Sequence, residues 1–154
     1  MGQQQLLLLV LTTIIVGLAV VAGMEAYEES ERQSAINHIT QRSIEIASDV
    51  QEYAARPEYM RLKNTTGDDE LAIDFGELPQ YDTNGASGGG NYIGELATYS
   101  LNGHSTFPSG YSPDACPNDN AKNTVEAYST EHDVSVCVSI TGTTADDLNA
   151  GVVE

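Results

Sequence analysis
Between Leu6 and Met24 the chain runs Leu-Leu-Leu-Leu-Val-Leu-Thr-Thr-Ile-Ile-Val-Gly-Leu-Ala-Val-Val-Ala-Gly-Met, with no charged side chain. The run is apolar all round, unlike a surface helix of a globular protein, and its 19 residues approach the roughly 20 that cross a bilayer core as a helix. Gly17 and Gly23 weaken it locally, each by about 1 kcal/mol against alanine. From residue 25 the pattern changes without a break. Ile36, Ile39, Ile46, Val50 and Tyr53 recur at spacings of three, seven, four and three, one apolar stripe at helical period, widened by Ala35, Ala47 and Ala54. Charged residues from Glu28 to Arg56 line the remaining faces, with Glu28–Arg32 and Glu52–Arg56 in the favourable acid-before-base order at i,i+4. The first proline is Pro57. The pattern predicts one helix of about 55 residues, roughly 80 Å long. Residues 1–24 form its apolar half and 25–56 its amphipathic half. The second half lies on the chain's own C-terminal domain and leaves the first half projecting, an apolar surface that lipid or copies of itself must cover.

Beyond residue 56 the period changes. Residues 57–91 read as a loop-rich connection with Asn64-Thr-Thr-Gly-Asp-Asp-Glu70, Leu78-Pro79 and Gly85-Ala-Ser-Gly-Gly-Gly90. Tyr92 to Leu101 reads as a strand, Asn102-Gly103 as a two-residue hairpin turn and Ser105 to Phe107 as a short return strand. Pro108 to Ala121 is irregular. Thr124 to Ser129 and Asp133 to Thr141 read as a second hairpin. Val134, Val136, Val138 and Ile140 alternate with Ser135, Cys137 and Ser139, so the valines face the helix and Cys137 faces outward. The expected fold is α+β, an antiparallel sheet of about four strands over residues 57–154 layered on the amphipathic half-helix.

Charge sharpens this division. The chain has 154 residues, 23 acidic and six basic, for a formal net charge of -17. No acidic or basic residue precedes Glu25 and no basic one precedes Arg32. Such a surface repels phosphate, which argues against nucleic acid bound through a basic face. It fits either a salt-adapted protein or an ordinary acidic surface. The apolar segment has three readings. As a cleaved secretory signal it lacks a basic n-region and a clear small-residue cleavage site. As a plain membrane anchor it lacks a positive flank. The third reading is a segment that sits in membrane temporarily and later packs inside a protein assembly, and the absent flank fits a mature chain whose basic leader has been removed. The two cysteines, Cys116 and Cys137, read as one disulfide in an extracytoplasmic domain. It closes a loop of roughly 20 residues, worth about 3 kcal/mol in the chain-entropy model.

Candidate chemistry is sparse. Asn64-Thr-Thr is an N-glycosylation triplet. Asp68-Asp-Glu70 and Asp119, Asp146 and Asp147 carry oxygen ligands suited to Ca²⁺, but their spacing matches no binding loop, and solvated acidic faces are the plainer reading. His38, His104 and His132 are scattered, and no nucleophile elbow is present. Tyr27, Tyr53 and Tyr59, readable as an aromatic chain for electron transfer, read more simply as packing. The expectation is no catalytic residue, no metal and no cofactor.

An apolar half-helix continuous with an amphipathic half that carries a small antiparallel sheet and a C-terminal disulfide loop resembles a mature type IV pilin. The start Met1-Gly-Gln-Gln-Gln5-Leu6 resembles the mature pilin N-terminus, in which an often N-methylated hydrophobic residue precedes a glutamate at position five and then leucine. In that register Met1 is the processed and methylated residue, and Gln5 holds the glutamate position with a neutral side chain that accepts a hydrogen bond but forms no ion pair. A second register, with cleavage at Gly2-Gln3, makes Gln3 the first residue. The resemblance covers residues 1–57 closely and the remainder in architecture. It implies an extracellular structural filament serving adhesion, motility or DNA uptake, with the chain itself as partner in a helical homopolymer. Before assembly it implies inner-membrane residence, cleavage by a prepilin peptidase and lifting by an ATP-driven pilus assembly machine. Leu6, Leu7, Leu8, Leu9, Leu11, Ile14, Ile15 and Leu18 would then form the filament core. Two alternatives stand beside it, a membrane-anchored extracytoplasmic binding module and a secretion-system pseudopilin.

Overall fold
The computed structural model describes residues 2–57, 60, 73–81, 91–101 and 123–153. One α-helix, α1, spans Gly2–Ala54, 53 residues. It ends three residues before Pro57, whose ring disfavours helical geometry in the residue before it. The last backbone bonds are Ala55 N–H to Gln51 O at 3.0 Å and Arg56 N–H to Tyr53 O at 3.1 Å, a tightened final turn. Five strands follow: β1 (Tyr92–Ile93), β2 (Thr98–Leu101), β3 (Asn123–Ser129), β4 (Val134–Ile140) and β5 (Leu148–Val153). They form one antiparallel sheet in sequence order, each strand bonded to the next. The architecture is α+β, as the periodicities predict. The chain divides into two compact units, Met1–Ser34 and Ala35–Glu154.

Within the second unit, burial on the helix falls at Ala35, Ile39, Ser43, Ile46, Ala47, Val50, Gln51, Tyr53 and Ala54. That is the predicted stripe, with Ile36 packed at its margin. Its sheet partners are Tyr99 and Leu101 of β2, Val125 and Ala127 of β3, and Val134, Val136, Val138 and Ile140 of β4. Register explains the set: Tyr99 pairs with Ala127 and Ala127 with Val136, while Leu101 pairs with Val125 and Val125 with Val138. Every second residue therefore reaches one face. Two polar side chains fasten this layer. Buried Gln51 donates through Nε2 to the carbonyls of Gly142 (2.8 Å) and Thr144 (2.9 Å). Buried Asn123 donates through Nδ2 to the Ile73 carbonyl at 3.2 Å. The turn that Gln51 holds is braced from within. The Asp147 carboxylate accepts from the Thr144 amide at 3.0 Å and hydroxyl at 2.6 Å. Those bonds hold the carboxyl below its ordinary range, so their stabilisation is present above that range and is lost as pH falls.

Three expectations need correction. Tyr92 to Leu101 is not one strand. Gly94 N–H bonds to the Ala97 carbonyl at 2.9 Å, and the turn folds β1 back on β2. A Cβ on Gly94 would lie 2.8 Å from the ring of buried Tyr99 and 3.2 Å from the Ala97 carbonyl oxygen, so this turn accepts only glycine without displacing the core. The sheet has five strands rather than about four. The extra strand is the tail segment Leu-Asn-Ala-Gly-Val-Val, which has neither alternation nor strong strand propensity and gains its form from pairing with β4. The connection beyond residue 57 supplies core: Ile73, Phe75, Leu78 and Tyr81 are buried around a single 3-10 turn, Phe75–Glu77. Cys137 stands on the sheet face opposite the valines, as the alternation predicts, and is only 3% exposed; all seven residues of β4 are buried. The Asn102-Gly103 turn and the Ser105 to Phe107 return strand lie outside the described residues.

The fully buried Ile46 tests this layer. Ile46→Ala should cost about 2–5 kcal/mol, the usual penalty for emptying a packed site. Urea unfolding of the full chain in detergent micelles, followed by tyrosine fluorescence, measures it, and a loss under about 1 kcal/mol would place Ile46 outside the core.

Candidate functional site
Two surfaces stand out, and the first collects most of the side chains singled out by the sequence. The first belongs to unit Met1–Ser34. Leu6, Leu7, Leu8, Leu9, Leu11, Ile14, Ile15 and Leu18 all lie on α1, between 49% and 68% exposed. Val10, Val16, Val20, Val21, Met24 and Tyr27 extend the same surface and are not among the eight leucines and isoleucines picked out by sequence. Bulk aliphatic content marks those eight, but helix geometry turns the valines outward as well. The segment is long and apolar enough to cross a membrane by length and composition.

The two threonine hydroxyls of residues 6–24 are already satisfied. Thr12 Oγ1 donates to the Leu9 carbonyl at 2.9 Å, and Thr13 Oγ1 to the Val10 carbonyl at 2.8 Å. In a waterless surrounding an unpaired hydroxyl costs several kcal/mol. The local bonds remove that cost at Thr12 and Thr13. A Cβ on Gly17 or Gly23 would meet nothing within 4 Å in the single chain, so neither glycine is required by this chain's own packing. Gln3 and Gln5 lie exposed in the first turns of α1, where no acidic residue stands. Met1, Asn64 and Cys116 lie outside the described residues, as do His104, Tyr59, Asp119 and the Asp68-Asp-Glu70 run.

The second surface is an arginine–tyrosine cluster where the helix meets β1 and β2. The Arg42 guanidinium lies 5.7 Å from the ring centres of both Tyr81 and Tyr92, cation–π distance for each. It donates to Glu45 Oε2 at 2.6 Å and to the Tyr92 hydroxyl at 3.3 Å. Tyr81 and Tyr92 meet edge to face at 5.0 Å and Phe75 and Tyr81 at 5.4 Å, while Tyr92 and Tyr99 lie tilted at 5.8 Å. The Tyr81 hydroxyl donates to Asp49 Oδ2 at 2.5 Å. Burial, reinforced by the bond to Asp49, raises the Tyr81 phenol well above its ordinary value, and burial pushes Tyr99 up to about 12. Glu45 is the largest cause that raises Arg42. These contacts join helix, connection and sheet edge. Sequence reasoning placed Arg42 and Asp49 on the solvated side. The signal available was their position three or four residues from Ile39, Ile46 and Tyr53, which puts them at the margin of the buried stripe.

The other candidates do not converge. His38 and Asp146 are exposed and His132 is half-buried near the β3–β4 turn. Among the described residues no group of three or more His, Cys, Asp or Glu side chains is placed to hold a metal ion. Tyr27 is exposed while Tyr53 is buried with the Arg56 guanidinium 5.5 Å above its ring.

The aromatic cluster makes the domain sensitive to alkali. A phenol whose folded pKa is raised contributes stability that is complete below its unfolded value near 10 and drains away as pH rises towards the folded value. For Tyr99 the window is pH 10 to about 12. Spectrophotometric titration of the full chain at 295 nm should show Tyr81 and Tyr99 ionising only above about pH 11, together with loss of near-ultraviolet circular dichroism. Eight tyrosines titrating in one ordinary step, with the fold unchanged, would contradict the packing described.

No protein-family model, no curated protein and no solved structure matches this chain.

Proposed function
We propose that this chain is a pilin-like structural subunit of an extracellular type IV pilus-like filament, which polymerises through the helix surface of residues 6–24. One observation carries the reading. A single unbroken helix has an uncharged, predominantly apolar and exposed first segment, and its later residues, from Ala35, are built into the core of a small antiparallel sheet domain. A helix of this composition has two stable surroundings, a bilayer and a bundle of its own kind. Transfer between them exchanges one apolar environment for another, so packing contacts rather than the hydrophobic effect select the bundle. The pre-satisfied threonines support this exchange. The chain would rest in the inner membrane after a prepilin peptidase acts, with Met1 or Gln3 as its first residue. An ATP-driven machine would then lift it into a helical homopolymer on the cell surface. Gln5 would set registry through a neutral hydrogen bond. In this role the chain is structural and performs no catalysis.

The neutral Gln5 has a consequence for assembly. Registry without an ion pair should depend little on salt, since a hydrogen bond to a neutral amide is weakly screened.

Charge placed in the proposed core tests the reading. Leu9→Glu or Ile15→Asp should abolish filaments in the fraction sheared from cells, because an ionised carboxylate in a dry bundle costs several kcal/mol. The C-terminal domain should stay folded, as measured by the alkaline titration above. Sheared filaments of undiminished yield from either variant would exclude residues 9 and 15 from the core. Recovery of the unmodified chain from detergent-solubilised membranes alone, with no polymer, would favour an anchored binding module.

A further inference from the structure
Residues 2–31 of α1 contain neither lysine nor arginine, and their single aromatic residue is Tyr27. Two kinds of side chain hold a helix at a set depth in a bilayer: long cations that reach the headgroups, and amphipathic rings that rest among them. The first kind is missing here, since Arg32 is the first base. Where cations commonly flank an apolar run, this helix has Glu25, Glu28, Glu29 and Glu31, all exposed. Carboxylates draw a helix towards water and give no hold on the apolar layer. Tyr27 is therefore the one side chain in this stretch able to rest at the boundary. It is 66% exposed and makes no hydrogen bond or ring contact among the described residues. Tyr53 on the same helix is 4% exposed and belongs to the core of the sheet domain.

Helix geometry puts the Tyr27 ring at headgroup height. Leu6 to Met24 is 19 residues, about 28 Å of helix at 1.5 Å per residue, against a hydrocarbon core of about 30 Å. With that run in the core, Met24 reaches its edge. Tyr27 stands about 4.5 Å further along, inside a headgroup layer about 5–7 Å deep. Its Cα–Cβ bond tilts towards the helix N-terminus, back towards the apolar run. A phenol suits this position. The ring keeps apolar contact, and the hydroxyl has water and headgroup oxygens as partners.

We propose that Tyr27 is the interfacial anchor of the membrane-resident chain: its ring rests among phospholipid headgroups and sets the depth of the apolar run against the outward pull of the neighbouring glutamates. The proposal rests on the membrane stage of the function given above, and it assigns that stage a positioning residue and a lipid partner.

Spin-label depth measurement tests it. Among the described residues there is no free cysteine, so Val20→Cys gives a nitroxide attachment point seven residues before Tyr27. The full chain keeps its disulfide and is reconstituted in dioleoylphosphatidylcholine vesicles. The label's accessibility to oxygen against a water-soluble nickel complex reports its depth. Adding Tyr27→Ala should move the label towards the glutamate side by at least about 1.5 Å, the rise of one residue, because the carboxylates then pull unopposed. Tyr27→Trp should restore the original depth. An unchanged depth in Tyr27→Ala, or a shift that Tyr27→Trp fails to reverse, would overturn the anchor while leaving the chain in the membrane. A label as open to the nickel complex as in water, with Tyr27 intact, would overturn both the anchor and the membrane stage.

Discussion
Apolar helix surface that water does not accept dominates the energetics of this chain. Residues 6–24 expose about half or more of the area of nearly every leucine, isoleucine and valine they contain. A fully buried aliphatic side chain gains about 1.5–3 kcal/mol, so the uncovered segment represents on the order of 20 kcal/mol. Whole domains are stable by only about 5–15 kcal/mol. No arrangement that leaves this surface in water competes with one that covers it. The described remainder of the chain offers no second apolar helix with which to cover it, being an acidic sheet domain whose own core is already closed. A bilayer or other copies of the helix would supply such a cover, which is why the proposed function places the segment in both.

The domain that begins at Ala35 solves a different problem with few resources. It has little apolar material, and much of its surface is acidic. Polar side chains therefore tie the layers at specific points. Gln51 reaches two carbonyls of the turn before β5, Asn123 fixes the segment before the Phe75 turn, and Arg42 stands against two tyrosine rings at the sheet edge. These contacts join elements far apart in sequence. Each uses groups that would otherwise be buried without partners, which is how polar atoms become specific rather than costly. Among the described residues the exceptions are Thr40 Oγ1, Ser100 Oγ, Ser129 Oγ and Glu126 Oε2, each buried without a hydrogen-bond partner.

Much of this was legible in the residues. The helix was readable because its hydrophobic spacing holds from Ile36 to Tyr53 and no proline precedes Pro57. The β3–β4 hairpin was readable because strict alternation of valine with small polar residues leaves little choice of register. The buried connection was not. Ile73, Phe75, Leu78 and Tyr81 are too few and too irregularly spaced to show a period, and they are buried by tertiary packing alone. β5 was hidden for a related reason, since an edge strand borrows its geometry from its neighbour. The alternation placed Cys137 on the face away from the valines, but it carried no signal that this second face is buried as well. The helix surface was the most legible candidate site, being written as composition. The arginine–tyrosine cluster was the least, because Arg42 meets Tyr81 and Tyr92 only once helix, connection and sheet edge are packed together.

Electron cryomicroscopy of filaments sheared from the native cells tests the central claim most directly. The account predicts a polymer of this chain in which the helices of residues 2–24 pack against one another along the axis, dry and lipid-free, beneath a sheath of sheet domains. Filaments built from this chain with those helices at the periphery or in lipid would contradict it, as would native appendages that do not contain the chain.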